Sequence, residues 1–517
     1  MQLGYYISLT KSTIAPTQRM VHLGFGIDSR ISSYFLTDKY RQKFQTCRSA
    51  LLDWKTACLK DIQRWVGKCN HLRLLFPANS LFTFHCRQLL SSLTGDRVPL
   101  LPCVLGEIRF WTFVDVVTEP VPFLLQQHVA FSLHTDASGY GWGASVLLPS
   151  GRLELRDYWC SALFRNDICT KEALAVLFAL RSLAPHLSRR RVDVFVDNMG
   201  LVHAWSGLKS KSEELTNVLR ELFLFCVDSR ISLSLLWVST KANPADAPSR
   251  VLDRRDSMLS PALRAELWSV FGPFSFDLMA LPSNALCSPS GVRLPFFSRD
   301  PLPSSAGTNV FAQRPPAGRL YVFPPFVLVV PLIKLFLEWG GVEVVLVLPE
   351  FGGPPKWVSL LLPYIQDAVA LCPAGSVGSL YFPTSSGFAG NLLPLSFGLT
   401  AFRCVFPTAP ALPPPPPSPT RRILIIADSM LRPLEHLSWP SPYKVVVRCL
   451  SGAGLRAAVL KSQVYSASSF DVIVLHAGVN DASCGSGSFE DEFRASCESP
   501  VWRCVLISGN ELVVSLA

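Results

Sequence analysis

The chain has 517 residues, enough for about three domains, and 49% of it is hydrophobic against 17% charged, which excludes a globally disordered protein. Its 48 Lys+Arg against 38 Asp+Glu give a net charge of +10, a balance that favours a polyanionic partner. The 15 cysteines form no CxxC pair, so neither a zinc site nor a disulfide framework is indicated, and reduced thiols in an intracellular protein are expected.

The first residues, MQLGYYISLTKS, lack an uninterrupted apolar stretch, so no secretory leader is expected. Residues 1–105 read as mostly helical after a short extended start. In CLKDIQRWVGKCNHLRLLFP (58–77), Lys60, Arg64 and Lys68 recur four apart and predict a basic helix face. Such a face suits phosphate contacts, although a solvated helix face accounts for the same spacing.

Residues 129–160 alternate apolar and polar and predict three strands. The segment 168–187 places Ala173, Leu177, Leu180 and Ala184 at spacings of four, three and four, an amphipathic helix. RRVDVFVDN (190–198) predicts a strand with Val192, Val194 and Val196 on one face. A helix over 213–229 and a strand over 231–239 follow. Strands succeeded by helix, strand, helix and strand argue for a mixed α/β sheet with a parallel pair.

Four acids fall at the boundaries of these elements. Asp136 ends the first strand, in HTDASGYGWGASVL; Glu172 lies on the first long helix; Asp197 ends VDVFVDN; Asp246 lies in NPADAPSR. A right-handed crossover would place Asp136 and Asp197 at the same end of neighbouring strands, with Glu172 above them. Carboxylates so close repel unless cations neutralise them, and oxygen ligands suit Mg²⁺ or Mn²⁺. Two such ions about 4 Å apart activate water in phosphodiester cleavage. Singly, each aspartate is equally readable as a turn or cap residue. Together, spaced by 36, 25 and 49 residues, the four make a site.

The stretches TDASGYGWGA, TKEALAV, VFVDN and NPADAPSR together resemble the ribonuclease H domain of retroelements, and most closely that of DIRS/Ngaro-type retrotransposons, over about 124–255. The resemblance implies a five-stranded mixed sheet with flanking helices that cuts the RNA strand of an RNA–DNA hybrid. It also implies that Asp136, Glu172, Asp197 and Asp246 bind two metal ions. Many relatives carry a histidine before the last acid; VSTKANPAD has none, and Lys241 is the nearest cation. Residues 1–105 resemble the end of a reverse-transcriptase palm and its thumb, with LGF (23–25) similar to the primer grip. Under that resemblance Lys60, Arg64 and Lys68 contact phosphates. No Asp-Asp dipeptide occurs, so the polymerase aspartates are expected on an upstream palm and fingers segment.

Residues 261–405 are proline-rich but carry apolar runs, among them VEVVLVLP (342–349). LYVFPPFVLVVPLIKLFLEW (320–339) is broken by Pro324, Pro325, Pro331 and Lys334 and predicts a buried strand–helix pair rather than a membrane span. FPPF (323–326) resembles the (Asp/Asn)-Pro-Pro-(Tyr/Phe) loop of adenine methyltransferases, but Phe323 replaces the polar residue. No glycine-rich cofactor loop accompanies it, so a catalytically inactive α/β module is expected.

ALPPPPPSPT, within 406–420, predicts a stiff linker. Beyond it ILIIADSM, SGAGL and DVIVLHAGVND (421–497) resemble a truncated SGNH hydrolase, a flavodoxin-like α/β domain. That resemblance implies Ser429 as nucleophile, with Gly452 and Asn480 as oxyanion donors. The family's Asp-x-x-His block is absent, so no base for Ser429 is expected. The tail 498–517 matches no expected element. A serine esterase and a non-catalytic nucleic-acid-binding relic therefore stand as alternatives to the nuclease.

Overall fold

The computed structural model describes residues 15–408, apart from 93–96, 118, 124–129, 150 and 351–356, together with residues 8, 12, 13 and five strands beyond 420. The chain divides into two units, Met1–Thr408 and Ala409–Ala517.

The first unit opens with a four-stranded antiparallel sheet, Arg19–His22, Phe25–Asp28, Ser33–Leu36 and Val121–Pro122. Leu23 and Gly24 turn its first hairpin at φ 49° and 88°, the left-handed region that favours glycine. Helices Asp38–Trp54, Leu59–His71, Phe84–Ser92 and Pro102–Phe110 follow. They close over Phe44, Trp65 and Trp111, all fully buried, with the Phe44 and Trp65 rings 5.0 Å apart.

The central module is the predicted mixed sheet. Its strands are β1 (Ala130–Ala137), β2 (Gly141–Leu148), β3 (Gly151–Tyr158), β4 (Arg191–Val196) and β5 (Ser232–Trp237), in the order β5-β4-β1-β2-β3. The pairs β5-β4 and β4-β1 are parallel, whereas β1-β2 and β2-β3 are antiparallel. Helix α1 (Ile168–Ser182) crosses between β3 and β4. Helix α2 (Met199–Ser206) follows β4, α3 (Glu213–Asp228) leads to β5, and a short α4 (Asp246–Ser249) closes the module. The alternation of β4 is clean: Val192, Val194 and Val196 are fully buried, as period-two packing requires. Helix α2 is absent from the sequence reading, which passes from a strand directly to the helix at 213. It has eight residues, and the Asn198 side chain caps it by accepting from the Leu201 amide at 3.1 Å.

The third part of this unit is a second five-stranded sheet. Strands Phe276–Asp277, Arg319–Val322 and Val342–Glu350 run parallel, and Gly398–Phe406 and Ile365–Cys372 complete it antiparallel. VEVVLVLP is its central strand. Val344, Leu346 and Leu348 pack into one core and Val345 and Val347 into another, which explains a continuous apolar run. The membrane-like stretch resolves into the strand Arg319–Val322 and the helix Val329–Trp339. Among the described residues no helix is long and apolar enough to cross a membrane.

In the second unit, strands Tyr443–Cys449, Arg421–Ala427, Val472–His476, Cys504–Ser508 and Glu511–Ser515 form one sheet in that order. All neighbouring pairs are parallel except the last. Two of the strands, Cys504–Ser508 and Glu511–Ser515, fall in the tail 498–517, for which no element is expected above. Ser429, Gly452 and Asn480 lie outside the described residues.

Candidate active site

The parallel pairing of β1 with β4 sets the site. His134 stands opposite Phe195, and each acid, Asp136 and Asp197, follows two residues later in its own strand direction. Both carboxylates therefore reach the same edge of the sheet. Helix α1 packs against β1 and β2 and lowers Glu172 onto that edge. Its start is fixed by Asp167, which accepts from the Thr170 amide at 3.1 Å, a side-chain cap of the usual kind.

Asp136, Glu172 and Asp197 bring one carboxylate oxygen each within 4.8 Å of one another. Asp136 and Glu172 are 1% and 2% exposed, while Asp197 is half-buried. Glu172 Oε1 accepts from the Ala137 amide at 3.3 Å, but the buried Oε2 has no hydrogen-bond partner. Burial pushes the Glu172 carboxyl up to about 9, and the neighbouring Asp136 and Asp197 push the same way. Burial also raises Asp136, opposed by a hydrogen bond from Ser249 and reinforced by the charges of Asp197 and Asp246. A buried carboxylate oxygen left without a donor is costly. A divalent cation among the three acids would satisfy it and remove the mutual repulsion, so the residues present fit such an ion.

The structure gathers three of the four predicted acids. Asp246, the first residue of α4, instead accepts from Arg250 Nε at 2.8 Å. It remains close enough for its charge to act on Asp136.

Several residues that shape the site escaped the sequence reading. Ser249 Oγ donates to Asp136 Oδ2 at 2.5 Å, and Thr240 Oγ1 donates to Asp197 Oδ2 at 2.7 Å. Asn243 Nδ2 donates to the Thr135 carbonyl at 2.9 Å and docks the loop before α4 onto β1. Ser138 Oγ donates to the Ser249 carbonyl at 2.7 Å, and Lys171 Nζ to the Gly139 carbonyl at 2.9 Å. The glycines of the β1–β2 hairpin permit this closure: a Cβ on Gly143 would stand 2.5 Å from the Ser249 amide nitrogen and 2.8 Å from the Ala245 carbonyl oxygen. Lys241 is exposed.

Away from the acids, Arg64 and Lys68 line a cleft of about 570 Å³ with Lys39 and Lys43, and Asp61 is the acid among its lining residues. Lys60 stands exposed one turn earlier on the same helix.

No protein-family model matches the chain, and no curated protein matches it. Among solved structures, ribonuclease H1 of the archaeon Halobacterium salinarum is 16% identical, with a TM-score of 0.20, covering 23% of this chain and 93% of that one. The N-terminal ribonuclease H domain of a Mycobacterium tuberculosis protein is 20% identical, with a TM-score of 0.20, covering 23% and 90%. A foamy viral protease-reverse transcriptase in complex with an RNA/DNA hybrid is 17% identical, with a TM-score of 0.19. There the match covers 48% of this chain and 32% of the viral one.

Proposed function

We propose that the chain is a ribonuclease H-type endonuclease that cuts the RNA strand of an RNA–DNA hybrid with two Mg²⁺ or Mn²⁺ ions. In this reading it works within a retroelement polyprotein whose polymerase aspartates lie on an upstream palm and fingers segment. The observation that carries the nuclease reading is the meeting of Asp136, Glu172 and Asp197 within 4.8 Å, with one buried oxygen of Glu172 unpartnered. The motif resemblance supplies the substrate class. Bound ions would activate water and stabilise the leaving oxygen of the phosphodiester.

The chain's own residues hold and orient the ligands. Asp136 and Asp197 would anchor the ions, with Glu172 completing one site and Asp246 the other. Ser249 fixes the Asp136 carboxylate, and Thr240 fixes that of Asp197. Arg250 pairs with Asp246 at 2.8 Å and balances its charge. Lys60, Arg64 and Lys68 hold the phosphates of the bound hybrid, a sequence-blind and salt-sensitive contribution.

Asp136→Asn is expected to abolish Mg²⁺-dependent cleavage of an RNA–DNA hybrid while leaving the fold intact by circular dichroism. Cleavage at the wild-type rate would refute the assignment.

A further inference from the structure

The parallel strands β4 and β5 begin at the end of the sheet away from the acids. β4 starts at Arg191 and β5 at Ser232, and each is entered through a tight turn, Ser188-Arg189-Arg190 and Ser229-Arg230-Ile231. Both turns hold an arginine in the left-handed region, Arg189 at φ 59° and Arg230 at φ 55°. Glycine or asparagine meets that conformation at less cost than a long side chain does. The turns are stitched to each other and to β5. The Arg189 amide donates to the Ser229 carbonyl at 3.2 Å, and Ser188 Oγ donates to the same oxygen at 3.1 Å. The Ser232 amide donates to the Arg190 carbonyl at 3.0 Å.

Four guanidiniums are thereby gathered in one place. Arg191 pairs with Asp193 at 3.0 Å. Arg189, Arg190 and Arg230 are exposed and have no ion-pair partner among the described residues. Asp228, the last residue of α3, stands next to Ser229. Four guanidiniums against the carboxylates of Asp193 and Asp228 leave an excess of positive charge. Cations also favour the carbonyl end of a helix, and α3 ends here. That role alone does not call for arginine at the left-handed positions, because a glycine there with a cation beside it would serve. Backbone strain of this kind persists where function holds it in place.

The geometry points to the paired turns as a binding surface for the phosphate backbone of a polynucleotide. Guanidinium forks match phosphate oxygens two at a time. The turns present serine and arginine and little apolar surface; the nearest exposed apolar residue in sequence is Val227, 54% accessible. An acidic protein would need an apolar anchor at the centre of its contact. Six residues of β4 separate Arg191 from Asp197, so the turns lie about 20 Å from the acids. The phosphates come either from the far reach of a hybrid held at the acids or from a second nucleic-acid molecule. The first source rests on the nuclease reading; binding at the turns does not.

The test uses the full chain in EDTA, so that no substrate is cut. Anisotropy is read over a salt series with blunt RNA–DNA hybrids of about 8 and about 24 base pairs, the shorter of which cannot extend from the acids to the turns. In the variant Arg189→Gly with Arg230→Gly, glycine relieves the backbone at both positions. The melting temperature without nucleic acid should therefore hold or rise. The slope of log affinity against log salt is expected to fall by about two as two phosphate contacts are lost. Arg190→Gln, at a position without positive φ, should lower it by about one and serves as well if the glycine pair fails to fold. Arg314→Gln with Lys334→Gln, which removes two exposed charges elsewhere, should leave the slope unchanged. A fall confined to the long hybrid assigns the turns to the far reach of the bound duplex. An equal fall with both, and two short hybrids bound per chain, assigns them to a second molecule. A wild-type chain that binds neither hybrid, or a slope that falls no further than in the charge-matched control, overturns the proposal. A lower melting temperature with unchanged binding also overturns it, since the arginines would then serve the helix end. Polyglutamate bound as tightly as the long hybrid, with the same loss in the variants, would assign the turns to an acidic polypeptide instead. A chain that binds hybrids without cutting them leaves the binding result standing.

Discussion

Ser249 Oγ lies 2.5 Å from Asp136 Oδ2, joining the last short helix of the central module to its first strand across 113 residues. The contact fixes one carboxylate oxygen and leaves the other free. It also opposes the effect of burial on Asp136, because a donor to the charged form favours that form.

Ser249→Ala should therefore raise the Asp136 carboxyl further above its ordinary range. Cleavage at saturating Mg²⁺ is expected to fall about tenfold to a hundredfold, as when a partner of a metal ligand is removed. The acidic limb of the pH–rate profile should move to higher pH. An unmoved limb would mean that the hydroxyl does not act on Asp136.

Glu172 predicts a pH dependence of opposite sign with and without metal. Its carboxyl is raised from 4.5 to about 9, so the folded, metal-free protein holds a proton that the unfolded chain releases. The stability this contributes is complete below about pH 4.5 and is lost as the pH rises towards 9. A metal ion must displace that proton, so its affinity grows with pH over the same interval. Thermal melts should show the rise in Tm produced by Mg²⁺ increasing from pH 6 to 9. Glu172→Gln should flatten the dependence and stabilise the metal-free protein.

Gly143→Ala places a methyl group 2.5 Å from the Ser249 amide nitrogen and 2.8 Å from the Ala245 carbonyl. Both are backbone atoms, so α4 must move rather than rotate a side chain. Overpacking of this kind costs about 1–3 kcal/mol. The expected result is a lower Tm together with loss of cleavage, since Ser249 and Asp246 move with the helix. A variant with wild-type activity would show that this approach is not required.

Arg220→Ala tests how the helical N-terminal part is joined to the central module. Arg220 pairs with Glu107 and donates from Nε to the Leu81 carbonyl at 2.7 Å. Glu107 is buried and also accepts from His85 Nδ1 at 3.0 Å. Removing the guanidinium leaves a buried carboxylate short of its cation, a loss of about 3 kcal/mol. Chemical denaturation should show a lower midpoint, and Glu107→Gln in the same chain should restore part of it.

The sheet and three of the clustered acids were legible because each is written locally. Period two in VDVFV, period three to four in 168–187 and acids at the element ends are properties of neighbours along the chain. Asp246 was legible as an acid near the site but not as the partner of Arg250, because a pairing of side chains one helical turn apart on a four-residue helix leaves no periodic trace. Ser249, Thr240 and Asn243 were not legible as site residues. Each acts on a strand more than 40 residues away, and a hydroxyl or amide in a turn-rich stretch reads as a turn residue. Helix α2 was missed because eight residues give barely two turns, too few for an apolar period.

The aromatic seam between the helical N-terminal part and the central module has a practical consequence. Phe76 meets Phe223 of α3 with centroids 5.3 Å apart, and Phe82 stands 6.4 Å from the same ring. A recombinant fragment trimmed to 124–255 would lay Phe223 and its neighbours bare to water. Such a fragment is expected to clump on expression, whereas one beginning ahead of Arg19 keeps the seam covered.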